Sequence, residues 1–146
     1  MKIVTYPDER LRKKAVDVLP EEIGSEELDE LINGMILTMA ELDGLGLSAC
    51  QVGSDKNLFV CHLDKEKEIV VAINPIMLAK SGKYWSRKEG CLSLPGERRT
   101  IRRSKMAKIS FLDRNGAEHV LKKTKLEATI FQHEMDHLKG KLIIDY

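Results

Sequence analysis

The chain has 146 residues, 42% of them hydrophobic, which is enough for one core and too few for two comfortable domains. Its 24 basic and 23 acidic residues nearly cancel to +1 without an acidic or basic tail, so composition points to no nucleic-acid partner. No apolar run approaches a membrane span and Met1 to Tyr6 lacks the apolar core of a secretion signal, so the expectation is one cytoplasmic, membrane-free domain over residues 1–146.

Residues 1–24 carry Tyr6-Pro7-Asp8 and then Arg10-Leu11-Arg12, a turn followed by one or two helical turns. Ser25 is a helix N-cap with Glu26 and Glu27 behind it, and Leu28, Leu31, Ile32, Met35, Met39 and Leu42 share one face up to Gly44. This predicts an amphipathic helix with methionines as core filler. Gly44 to Gly53 is a run of glycines and small residues. It reads either as a plain connection or as backbone held open beside a cleft, into which the Gln51 amide can donate a hydrogen bond.

Strands are expected at Leu58–Leu63 and at Ile69–Ile73, the second ending at the Asn74-Pro75 break. Cys61 and His62 are adjacent in a strand and point to opposite faces, so both are read as structural. Three cysteines, Cys50, Cys61 and Cys91, make no disulfide framework and are read as reduced thiols. Cys91 lies between Gly90 and a Pro-Gly turn, either as buried packing or as a thiol at a strand edge opening onto a site. The run Arg98, Arg99, Arg102, Arg103 and Lys105 is read as a solvated strand face. Met106–Leu112 and Ala117–Leu121 flank Asn115-Gly116 as a hairpin, with His119 in solvent.

The last element runs from Thr124 to Gly140, opened by the Thr124/Glu127 pairing of a capping box and stopped by glycine. Leu126, Ile130, His133 and His137 recur at helical spacing, which predicts that they share a buried face. His133-Glu134-x-x-His137 places two imidazoles one turn apart for a single divalent ion, with Glu134 as the base toward water. A catalytic ion needs a third protein ligand. Only nine residues follow His137, too few for a glutamate from a later helix, and the extended motif would put Ile143 where a histidine is needed. Asp145 lies past the helix stop. The third ligand is therefore expected upstream, where Cys91 is the best-placed candidate.

Together, Gly44 to Gln51, Glu89-Gly90-Cys91-Leu92-Ser93 and Gln132 to Gly140 resemble the three ordered motifs of the peptide deformylases, and Tyr6-Pro7-Asp8 resembles that family's opening segment. The match spans nearly the whole chain. Bacterial members commonly carry a further helix after the last motif, so this sequence resembles a short form lacking it. The resemblance implies an α/β (α+β) fold with small antiparallel sheets around the motif helix. It also implies metal ligation by Cys91, His133 and His137, usually of ferrous iron, with zinc, nickel or cobalt able to substitute. The implied reaction is removal of the formyl group from N-formylmethionyl nascent chains, with Glu134 as general base and acid. Gln51 and the Leu92 backbone N–H would be the oxyanion donors, and Gly46 would give a backbone contact to an extended peptide. Leu45, Glu89, Gly90, Arg98, Thr129, Ile130 and His133 would border the methionine pocket, and Glu89 paired to Arg103 would brace the cysteine strand. A monomer that works near the ribosome is the expected form. The alternatives are a zinc metallopeptidase cutting internal bonds and a structural-metal binding module, the latter usually closed by four protein ligands.

Overall fold

A computed structural model describes residues 1–63 and 68–146. Two helices, α1 (Glu26–Glu41) and α2 (Lys125–Leu138), pack on antiparallel sheets. The larger sheet has the order β1 (Gly46–Ser48), β2 (Leu58–Leu63), β3 (Glu68–Ser81), β6 (Met106–Leu112), β7 (Glu118–Thr124). The smaller pairs β4 (Tyr84–Glu89) with β5 (Arg99–Arg103). Short 3-10 turns at Glu9–Arg12 and Pro20–Glu22 are the helical turns expected of the first segment. Among the described residues no helix is long and apolar enough to cross a membrane.

Ser25 caps α1 by accepting from the Leu28 N–H at 3.2 Å, and Leu28, Ile32, Met35 and Met39 are buried as their spacing predicts. Leu42 is exposed instead, because the helix ends at Glu41 and Asp43 takes the left-handed turn (φ 52°) one residue before Gly44.

Strand β2 explains its own unbroken apolar run, because both its faces are covered. Leu58 and Val60 face α1 with Leu47 and Ile73, while Phe59, Cys61 and Leu63 face α2 with Ile109, Phe131 and Met135. Cys61 is thus structural, its thiol pushed up by burial. Phe131 and Phe59 pack as tilted rings 6.3 Å apart. Truncating such a side chain to alanine typically costs about 3–5 kcal/mol.

Two expected boundaries shift. The Asn74-Pro75 break does not end β3; the strand runs on to Ser81 through a bulge, with Asn74 at φ 50° and the register against β6 slipping between Ile73 and Ile76. The Asn74 side chain meanwhile ties down Val18, accepting from its N–H and donating to its carbonyl, both at 2.9 Å. The β6–β7 hairpin forms around Gly116, and His119 is exposed beside Asp113 as expected, but β7 extends to Thr124. Thr124 is then the last strand residue, so its hydroxyl makes no cap and Glu127 pairs with Lys123 at 3.5 Å in place of the capping box.

A third apolar cluster lies away from the large sheet. It gathers Val4 and Leu11 from the first segment, Cys50, then Cys91, Leu94 and Ile101 around the small sheet, and Leu142 and Ile143 after α2. It forms the floor beneath Cys91.

Candidate metal centre

Helix α2 is buried over most of its circumference and holds His133 and His137 with ring centroids 5.0 Å apart. Ile130 is buried on the same side, but Leu126 is 59% exposed, against expectation. The first turn of the helix opens onto a cleft that Leu126 borders, so this face is covered only from Ile130 onward.

Cys91 follows the end of β4 and turns back at once, its carbonyl accepting from the Leu94 N–H at 3.0 Å. Its Sγ lies 3.3 Å from Nε2 of His137. Cys91, His133 and His137 bring one ligating atom each to within 4.8 Å of one another. Asp145 is turned away and bound to Arg12.

The surroundings suit a cation. The His133 Nδ1–H donates to Glu89 Oε1 at 2.7 Å, which fixes the tautomer and leaves Nε2 free to ligate. Burial favours neutral His133, but Cys91 and Glu89 outweigh it and pull the ring toward the protonated form. The same field favours any cation at that spot. His137 is held neutral by burial, the form a ligand requires.

Glu89 is itself braced. Arg103 pairs with it and with Asp136 at 2.7 Å, and the Tyr146 hydroxyl donates to Asp136 at 2.6 Å while accepting from Arg103 at 2.9 Å. Burial opposes the charge on Glu89, but the His133 and Arg103 hydrogen bonds win and hold its carboxyl down at about 2. The Glu89–Arg103 pair is the one expected, and it corrects the reading of Arg103 as part of a solvated strand face. Arg98, Arg99 and Arg102 are exposed, whereas Arg103 is 3% exposed and belongs to this network.

Glu134 is buried, which pushes its carboxyl up, and its Oε2 accepts from the Ser48 hydroxyl at 2.7 Å. Gly46 lies directly against it: a Cβ there would meet the Glu134 carboxylate, with Cδ at 2.8 Å. Gln51 accepts from the Ser48 N–H at 2.9 Å, and its amide donates to Ser93 Oγ at 3.2 Å while pointing at Cys91 Sγ 3.7 Å away. Cys50 is buried packing, its thiol pushed up to about 12 chiefly by burial.

A cleft of about 560 Å³ opens over these groups. Every proposed site residue borders it except His137, which is buried beneath: Leu45, Gly46, Gln51, Glu89, Gly90, Cys91, Leu92, Arg98, Thr129, Ile130, His133 and Glu134. The Thr129 hydroxyl is engaged by the Tyr84 hydroxyl. Gly90 lets the Arg98 guanidinium lie across the backbone, where a Cβ would meet Arg98 Cζ at 2.8 Å. Edge strand β1 forms one wall and the end of β4 another. Sequence reasoning missed Ser48, a polar side chain in an apolar run, and Leu126, Arg87 and Lys88 at the rim. It also missed Asp136 and Tyr146, whose partners are distant in sequence.

The family model for polypeptide deformylase matches residues 1–146. The peptide deformylase of Stenotrophomonas maltophilia K279a is 43% identical over 145 residues, covering 99% of this chain and 85% of that protein. A solved peptide deformylase of Legionella pneumophila superposes with TM-score 0.92 at 40% identity, covering 99% of this chain and 83% of that one. A Met-Ala-Ser-bound class I type b peptide deformylase of Acinetobacter baumannii superposes with TM-score 0.93 at 30% identity, over 99% and 96% of the two chains.

Proposed function

Because this chain belongs to the polypeptide deformylase family and is a metal-dependent hydrolase removing the formyl group from formylmethionyl nascent polypeptides, we propose a working role for each residue of the centre. Residues 1–146 make one catalytic domain. Cys91, His133 and His137 hold the divalent ion, and the observation that carries this is their convergence to within 4.8 Å beside a Glu134 that lies outside that group and is held by Ser48.

Ferrous iron is the ion we assign, with zinc, nickel or cobalt able to replace it; when bound, such an ion lowers the pKa of water to about 7 and polarises the formyl oxygen. Glu134 takes the proton from the attacking water at its carboxylate. As the C–N bond breaks it delivers that proton to the departing amine nitrogen, so formate and a free amino terminus leave. The Gln51 amide and the Leu92 N–H donate to the oxygen on which negative charge develops, each worth on the order of 100-fold in rate. The peptide lies as an added strand along the free edge of β1 at Gly46. Its methionine enters among Leu45, Glu89, Gly90, Arg98, Thr129, Ile130 and His133, with Leu126 at the mouth. Glu89, braced by Arg103, orients His133. The working form is a cytoplasmic monomer that meets nascent chains near the ribosome.

The test is formate release from formyl-Met-Ala-Ser by anaerobically purified, iron-loaded protein beside Glu134→Ala of equal metal content. Release by the parent with near-total loss in the variant is expected. Comparable release from both would remove Glu134 from this role, and cleavage of unformylated peptides at internal bonds would favour a metallopeptidase.

A further inference from the structure

Strand β4 does not run regularly into the cleft. Its register against β5 slips between Ser86 and Glu89, and Lys88 sits at φ 54°, a left-handed conformation that a lysine rarely adopts. In a regular strand Arg87 and Lys88 would face opposite sides. Across this bulge both border the cleft, and Arg98 borders it from the far side of Gly90. Bulges beside active sites commonly re-aim side chains in this way.

The charges at the rim do not balance. Among the described residues Arg87, Lys88 and Arg98 form no ion pair; Arg98 donates only to the Glu97 carbonyl, while the Glu97 carboxylate pairs with Arg99 at 3.1 Å. Glu89 is taken by Arg103 and His133, and Glu134 by Ser48 in the cleft floor. The remaining carboxylate on the lining is Asp43, next to Leu42 after the end of α1. Three free cations therefore face one anion where a peptide with its first residue in the cleft must leave it.

We infer that Arg87 and Lys88, with Arg98, are specificity determinants that select nascent chains carrying acidic side chains at the second and third positions. The inference rests on the deformylase reading and names the substrate class within it. A cleft with a net positive rim focuses field toward the opposite charge, and the partner here is a short peptide whose side chains pass within reach. Each acidic side chain meets exposed cations, so the gain is on the order of fivefold per residue and shrinks with salt. Basic side chains at the same positions lose by a similar factor, moderated by Asp43.

The experiment compares kcat/KM for formyl-Met-Asp-Glu, formyl-Met-Ala-Ser and formyl-Met-Lys-Arg at low and high salt. The parent is set beside Arg87→Glu/Lys88→Glu and the neutral Arg87→Gln/Lys88→Gln. Ratios are taken within each protein, so a general loss of fold or metal cancels. The parent should rank acidic above neutral above basic, the neutral pair should flatten the ranking, and the charge-reversed pair should invert it. An unchanged ranking in the reversed pair, or a parent that favours the basic peptide, overturns the inference. Calorimetric affinities for the unformylated Met-Asp-Glu and Met-Lys-Arg peptides read the same preference without turnover. If no formate is released while these affinities still differ in the predicted sense, the deformylase reading fails and the rim selectivity stands; equal affinities sink the selectivity alone.

Discussion

Gly46→Ala is the sharpest perturbation of this centre, because it adds one methyl group and deletes nothing. The new Cβ would meet Glu134 Cδ at 2.8 Å and Cγ at 2.9 Å, where ordinary contact begins near 3.4 Å. The carboxylate must therefore retreat by roughly 0.5–1 Å, and a displacement of that order can cost about 100-fold in rate. It also gives up the 2.7 Å hydrogen bond from Ser48, worth about 1–3 kcal/mol when one partner is left buried and unpaired. Cys91, His133 and His137 are untouched, so metal content should stay near that of the parent. The expected result is a fall of about 100-fold or more in kcat/KM for formyl-Met-Ala-Ser, approaching the general-base limit of 10²–10⁴, at equal metal loading. A double-mutant cycle isolates the cause: on a Glu134→Ala background the added methyl should do little further, because the group it displaces is gone. A Gly46→Ala protein within threefold of the parent, or one whose loss adds fully to that of Glu134→Ala, would refute the reasoning.

Other contacts of the centre and its surroundings give further expected outcomes. Arg103→Met leaves the buried Glu89 side chain and the half-buried Asp136 without their guanidinium and should lower unfolding stability by about 3–5 kcal/mol in urea melts, with weaker metal retention against a chelator; a change under 1 kcal/mol would contradict it. Gly140→Ala forces a side chain into a position with φ 77° whose Cβ would meet the Arg12 backbone, with its carbonyl carbon at 2.7 Å. A loss of about 1–3 kcal/mol is expected from the backbone strain alone, and an unchanged melting temperature would count against it. Cys91, if it holds ferrous iron as proposed, is open to oxidation, so the iron-loaded protein should lose activity in air faster than the nickel-loaded one. Equal lifetimes would be inconsistent with that.

Much of this was legible because its signals are local. The residues of β2, the Gly116 hairpin and the Ser25 cap carry their own periodicity or turn chemistry, and the structure has them where that chemistry puts them. Spacing along α2 likewise fixed which residues share a face with His133. Periodicity could not say that a cleft opens over the first turn, so Leu126 was misplaced. The expected capping box failed because β7 keeps Thr124 in an extended strand, a tertiary preference that no four-residue motif reveals. Arg103 pairs with Glu89 as expected, although the run of arginines around it reads as a solvated face; its second partner, Asp136, lies on α2 and only the fold brings it in. Ser48 is one more small residue of the Gly44 to Gly53 run, and its hydrogen bond to Glu134, 86 residues away, leaves no local signal. Pro75 resembles a strand end locally, and only pairing with β6 on both sides of the bulge keeps β3 continuous.

The apolar floor beneath Cys91 also bears on the order of events during synthesis. It is closed by Val4 and Leu11 from one end of the sequence and by Leu142 and Ile143 from the other, and the Arg12–Asp145 pair latches the two. Contacts so distant along the chain form late, since the intervening polymer must be ordered before they bring any gain. A growing chain can build both sheets and α1 while Cys91 still has an open side toward solvent. The thiol is enclosed only when the segment after α2 folds back beneath it, so the floor of the centre closes after the sheets and not together with them.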